Sequence, residues 1–174
     1  MPTTLNLATK LRHIPNFPKE GVMFYDITPL LEDPAAFKLA VDGLADAFGN
    51  EKIDKVVGID ARGFLVAAPV AYALGAGLAV VRKKGKLPYE IIREYHELEY
   101  GHSVLEMHVD AIKPGEKVVL IDDVLATGGT AEAAARLIKK LDGNLVGMGF
   151  LIELVAFPGR QKLAPHVIHS LVTL

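Results

Sequence analysis

The apolar positions of this chain fall into two rhythms. Short continuous runs rich in Val, Ile and Leu recur at 56–59, 78–81, 118–121, 145–154 and 167–171. Runs of this kind read as strands buried on both faces, as in a parallel sheet. Between them, apolar residues three and four apart read as helices with one buried face. The spacing predicts a helix over 131–141, with Ala134, Ile138 and Leu141 on one side and Asp142-Gly143 stopping it. Another opens at Asp33-Pro34, an N-cap acid followed by a first-turn proline, and runs to about Phe48. A third is expected over 63–74, where Pro69 argues for a kink or an early break. Leu5, Leu7, Ala8 and Leu11 mark a short first helix ended by Pro15, and 158–164 a short late one. Strands alternating with helices predict an α/β fold with a mostly parallel central sheet flanked by helices.

Two segments keep neither rhythm. Residues 14–29 contain Pro15, Pro18 and Pro29, yet Phe17, Val22, Met23, Phe24 and Ile27 need burial, so an ordered loop is expected. Residues 83–102 carry many charges and three tyrosines (Tyr89, Tyr95 and Tyr100). They predict a long mobile loop or hairpin, and loops this long are usually functional. A strand over 103–109 returns from it, and Lys113-Pro114-Gly115 turns into the run at 118.

Composition narrows the class. At 174 residues one domain, 1–174, is expected, large enough to bury roughly 70% of its unfolded surface. Hydrophobic residues make up 51% and charged residues 23%, which suits a globular protein. A net charge of −2 gives no electrostatic case for nucleic-acid binding. With no cysteine there is neither a disulfide framework nor thiol chemistry. The first fifteen residues lack the apolar core of a secretory leader, and no apolar stretch reaches the roughly 18 residues of a membrane span. A cytoplasmic protein without membrane contact is expected.

The candidate chemistry centres on 118–130, VVLIDDVLATGGT. A buried strand ends in Asp122 and Asp123, a loop of small and hydroxyl residues follows, and a helix opens. Open α/β sheets bind ligands at this place. Free N–H groups at a helix start attract an anion by roughly 0.3–1 kcal/mol. Gly128 and Gly129 let the backbone approach a phosphate, while Thr127 and Thr130 add hydroxyl donors. Adjacent carboxylates on an extended chain point to opposite faces, so at least one can accept from sugar hydroxyls. Acids at one end and an anion cradle at the other describe a ribose 5-phosphate. Asp60-Ala61-Arg62-Gly63 also follows a buried strand and precedes a helix, so it can cradle a second anion with Arg62 as a charged contact. Arg82, Lys83 and Lys86, taken alone, read as a solvated basic face. The six histidines show no metal-ligand spacing and are assigned no role.

The 118–130 run resembles the phosphoribosyl pyrophosphate (PRPP) signature of the type I phosphoribosyltransferases. Ile14-Pro15-Asn16-Phe17-Pro18, GVMFYDITPLL at 21–31, GIDARGF at 58–64, RKKGKLP at 82–88 and LEYG at 98–101 resemble the adenine-using members in the same order. The resemblance implies transfer of phosphoribosyl from PRPP to N9 of adenine, giving AMP and pyrophosphate. Mg²⁺ would arrive with PRPP, held by substrate oxygens and water and not directly by the protein. It implies a small N-terminal hood and base-binding segment at about 1–33, and a flexible catalytic loop at about 83–102. Asp122 and Asp123 would hold the ribose, and Ala126, Thr127, Gly128, Gly129 and Thr130 the 5-phosphate. Ala61, Arg62, Arg82, Lys83 and Lys86 would face pyrophosphate. Phe24 would stack on adenine, with backbone groups near Met23 and Tyr25 reading its edge. Tyr25 stands where the family often has arginine, which leaves a side-chain role there open. Glu99, beside Tyr100, would be catalytic, with Glu97 and Glu94 as neighbouring alternatives. A homodimer and a cis Asp60–Ala61 bond are also implied. Two other readings stay open: another purine base, or a regulator that binds PRPP or nucleotide without turnover.

Overall fold

The computed structural model describes residues 5–97 and 102–174. Seven strands form the main sheet: β3 (Lys55–Ile59), β4 (Gly77–Lys83), β5 (Ile91–Glu97), β6 (His102–His108), β7 (Lys117–Leu125), β8 (Asn144–Glu153) and β9 (Ile168–Thr173). Their order is β5-β6-β4-β3-β7-β8-β9. The five strands from β4 to β9 in that order pair in parallel, and the β5–β6 hairpin joins β4 antiparallel. Alternate residues feed opposite cores. Val56, Val119 and Ile121 pack with α2 (Pro34–Asp46) and α3 (Gly63–Leu74). Val57, Val118 and Leu120 pack with α4 (Gly129–Lys140) on the other face. Burial on both faces is what made these runs continuously apolar.

Three local expectations change. The first helix is a single 3₁₀ turn, Leu7–Lys10, capped by the Asn6 side chain accepting from the Ala8 N–H at 3.0 Å. Its apolar window is too short to propagate an α-helix. The proline-rich segment is more than a loop: β1 (Arg12–Pro15) pairs antiparallel with β2 (Met23–Asp26), and α1 (Thr28–Glu32) follows. Pro15 is tolerated at the end of a two-stranded sheet, where a missing donor costs little. Pro69 does not break α3, which runs on to Leu74 and ends at Gly75 with φ 64°. Val66, Ala67, Val70 and Ala71 are buried on either side of it, and that burial outweighs one lost backbone hydrogen bond.

The Asp33 cap is as read, its carboxylate accepting from the N–H groups of Ala35 and Ala36. Of the 83–102 segment, the described residues form a turn at Lys84-Gly85 and then β5, which pairs antiparallel with β6. Strand β5 lies along α4: Glu94 pairs with Arg136 at 2.9 Å and Lys140 at 2.8 Å, and those cations also donate to the carbonyls of Tyr95 and Arg93. Among the described residues no helix is long and apolar enough to cross a membrane.

Candidate active site

Parallel strands end together, so the loops after β3, β4 and β7 converge at one edge of the sheet. Pairing of Asp122 with Phe150 and of Val124 with Ile152 carries β7 on to Leu125. Asp122 and Asp123 therefore lie inside the strand, not after it. The chain then turns through Ala126–Gly128 into α4. Gly128 has φ 81° and offers no side-chain cap, which leaves the first N–H groups of α4 free for a ligand. A Cβ on Gly128 would lie 3.1 Å from the Cα of Gly159. A Cβ on Gly159 would lie 2.2 Å from the carbonyl oxygen of Ala126. The back of the loop thus rests on Gly159, at the start of α5 (Gly159–Lys162). Next to it, Arg160 pairs with the buried Glu153, whose other contact is the Ser170 hydroxyl at 2.7 Å.

The loop encloses a cleft of about 100 Å³ lined by Asp122 and residues 124–131. Asp122 and Thr130 also line a larger cavity of about 460 Å³, together with Ile59, Asp60, Ala61, Arg62, Lys83, His96, Ser103, Leu105 and Asp123. One ligand can therefore extend from the first space into the second. Burial, and then the neighbouring charge of Asp123, push the Asp122 carboxyl well above its ordinary value. Its Oδ1 accepts from the Asp123 N–H at 2.9 Å. Arg62 Nε lies 2.8 Å from Asp123 Oδ2 as an ion pair without hydrogen-bond alignment. Among the described residues, the buried side-chain atoms lacking a hydrogen-bond partner are Arg62 Nη1, His96 Nδ1, Asp123 Oδ2 and His108 Nε2. All but His108 line the larger cavity. Unpaired buried polar atoms are rare, and such a cluster marks where ligand groups can complete the bonding.

The expected residues are distributed unevenly. Ala61, Arg62, Lys83, Asp122, Asp123 and Thr130 share the larger cavity, and Ala126 to Thr130 line the cleft. The Asp60–Ala61 bond is cis. Arg82 and Lys86 do not line the cavity: Arg82 Nε donates to Asp60 at 3.3 Å and its Nη1 to the Lys86 carbonyl at 3.2 Å. Glu106, buried on β6, fixes the intervening turn by accepting from the Gly85 N–H at 2.9 Å and Arg93 Nε at 2.8 Å. Met23, Phe24 and Tyr25 are outside the lining; Phe24 alone is seen to adjoin it, with Arg62 Cζ 4.9 Å from its ring centroid. Phe17 meets Phe24 edge to face, and His13 does the same to Tyr25. Glu99 and Tyr100, and the side chain of Glu97, lie outside the described residues. Glu94 is engaged with α4. His96 and Ser103 were not singled out in the sequence, and the alternation of a charged hairpin gave no sign that they face a cavity.

Among the described residues no group of three or more His, Cys, Asp or Glu is placed to hold a metal ion. Asp122 and Asp123, with Asp123 Oδ2 free of hydrogen bonds and held by the Arg62 ion pair, do fit a cation that arrives carrying its own oxygen ligands.

Comparison with known proteins agrees with this architecture. Residues 28–165 match the phosphoribosyl transferase domain family. The adenine phosphoribosyltransferase of Anaeromyxobacter dehalogenans is 52% identical over 167 residues, covering 96% of this chain and 97% of the relative. The crystal structure of adenine phosphoribosyltransferase from Thermoanaerobacter pseudethanolicus superposes with a TM-score of 0.94 at 46% identity, covering 97% of this chain and 98% of that one. The Saccharomyces cerevisiae enzyme, crystallised with an imino-altritol bisphosphate and adenine, superposes with a TM-score of 0.90 at 41% identity, covering 95% and 96%.

Proposed function

Because the chain belongs to the adenine phosphoribosyltransferase family, we propose that it joins N9 of adenine to the anomeric carbon of PRPP, forming AMP and releasing pyrophosphate. The observation that carries the assignment to these residues is that the two spaces share Asp122 and Thr130. A helix-start anion cleft adjoins, at Asp122 and Thr130, a cavity holding paired acids and cations. A 5-phosphoribosyl pyrophosphate has the matching sequence of charges. Ala126 to Thr130 take the 5-phosphate with main-chain N–H groups and threonine hydroxyls. Asp122 and Asp123 accept from the ribose hydroxyls. Arg62 and Lys83 face the pyrophosphate beside Ala61. Arg82, with the Lys86 carbonyl, holds Asp60 and thereby the turn that carries Ala61 and Arg62.

As the bond from the anomeric carbon to pyrophosphate breaks, positive charge develops on the ribosyl ring while the leaving oxygens gain negative charge. Fixed cations around the leaving group stabilise that separation without reorganising. Bound Mg²⁺ would neutralise further pyrophosphate charge, and Asp122 and Asp123 are the residues suited to meet it or its water ligands. Adenine stacks on Phe24, with Met23 and Tyr25 at its edge. Glu99 is proposed to take the N9 proton or to stabilise the ribosyl cation, since a carboxylate suits both tasks.

A homodimer is also proposed. Helix α3 is apolar all round, and its outer residues Leu65, Ala68 and Tyr72 remain exposed at helical spacing, with Tyr72 90% exposed. Such a stripe suits a second copy of the chain.

The first test is AMP formation from PRPP and Mg²⁺, with adenine, guanine, hypoxanthine and xanthine as separate acceptors. Turnover with adenine alone is expected. Turnover with another base would overturn the base assignment, and PRPP binding without any turnover would favour a regulatory role. Asp122→Asn with Asp123→Asn is expected to raise the KM for PRPP, while Glu99→Ala is expected to lower kcat. Equal mild effects from both would refute the division of labour.

A further inference from the structure

We propose that His96 is a further binding residue of this site, its imidazole donating from Nδ1 to a pyrophosphate oxygen of PRPP. The proposal rests on reading the larger cavity as the pyrophosphate side of a PRPP site. His96 is 8% exposed, and its Nδ1 has no hydrogen-bond partner. Leaving such an atom unpaired destabilises a fold, and an apolar residue would fill the same position without that cost. His96 pairs across the hairpin with Ser103, and both line the cavity. Two other buried atoms without a hydrogen bond, Arg62 Nη1 and Asp123 Oδ2, belong to residues of the same lining, although Asp123 Oδ2 also meets Arg62 Nε as an ion pair. His96 shares this space with the cations Arg62 and Lys83 and takes no part in the cleft of residues 124–131, so the pyrophosphate is its neighbour and the 5-phosphate is not. Burial, followed by the charges of Arg136 and Lys162, holds its imidazole below the ordinary value. The neutral ring keeps one N–H to give to an anion. Asp60, Asp122 and Asp123 are the carboxylates facing the same cavity.

The test separates pyrophosphate contact from general damage. His96→Leu removes the donor while keeping an apolar filling. It should fold at least as stably as the wild type, because it also removes an unpaired buried atom. Its KM for PRPP, and for pyrophosphate in the reverse reaction from AMP, should rise about tenfold or more, the usual loss for a hydrogen bond to a charged group. Its KM for adenine and for AMP should stay close to wild type. His96→Asn, which restores a donor near the Nδ1 position, should recover most of the loss. His96→Gln, which places its amide further out, should not. An unchanged KM for pyrophosphate in His96→Leu would overturn the proposal. So would equal losses toward AMP and adenine, or an Asn variant as impaired as the Leu variant. Should His96→Leu fail to fold, the Asn and Gln pair decides alone. Failure of the wild type to use PRPP would instead sink the underlying site assignment, so the two failures are told apart.

Discussion

Asp122 occupies a position where being ionised is costly. Its carboxyl is buried beside Asp123 and beneath the start of α3, where a Cβ on Gly63 would come within 2.5 Å of its Oδ1. Its native pKa lies above the unfolded value, so the native state holds the extra proton. The stability from that proton is full below the ordinary carboxylate range and is lost as pH rises through the raised native value. Asp122→Asn keeps an oxygen for the Asp123 N–H and removes the charge. Denaturation at pH 8 should show it more stable than wild type by roughly 1–3 kcal/mol, with the gain shrinking toward pH 4, while PRPP binding weakens. A gain that is flat with pH would refute this assignment. Gly63→Ala is expected to act in the opposite sense, displacing Asp122 and weakening both folding and PRPP use, as calorimetry and kinetics would show. The sequence made the importance of these acids plain, but not their depth. An Asp pair at the end of an apolar run resembles a solvated strand end, and only pairing with β8 carries the strand past it.

At the scale of elements, the β5–β6 hairpin is held to α4 by ionic and backbone contacts centred on Glu94. Burial alone would raise the Glu94 carboxyl, but hydrogen bonds from Lys140 and Arg136 outweigh it and keep it below its ordinary value. With the folded pKa depressed, the clamp is whole above the unfolded value and is lost as pH falls through the folded one. Glu94→Gln should cost about 1–3 kcal/mol and speed hydrogen exchange in β5 selectively, with α2 and β8 unchanged. Uniform acceleration would mean a general loss of stability instead. This clamp was hidden in the sequence because its partners are far apart along the chain, 42 residues for Glu94 and Arg136. The strand–loop–helix unit around 118–140 was legible for the opposite reason: its buried run, glycines and amphipathic helix are contiguous. The β1–β2 hairpin fell between, with strands of four residues and prolines that mimic a loop.

For the whole molecule, the doubly covered sheet and the convergence of its loops at one edge follow from runs that the sequence displays openly, as does the alternation of helices between them. What the chain does with its remaining apolar surface is a matter of assembly. Tyr72→Glu places a charge in the exposed stripe of α3 and should convert a dimer into monomers in light scattering, with the melting temperature falling as the stabilisation from association is lost. A wild-type protein that runs as a monomer at micromolar concentration would refute the dimer. One side chain also sets a timetable for the molecule. The guanidinium of Arg62 covers the ring of Phe24 while its Nε reaches Asp123, so it spans the places assigned to base and sugar. Pyrophosphate, if it binds where proposed, would compete for that cation and bare the aromatic face. Substrates should then enter in order, PRPP before adenine. Titration calorimetry should find adenine nearly silent with the free protein and binding readily once the other substrate, or its product counterpart pyrophosphate, is in place.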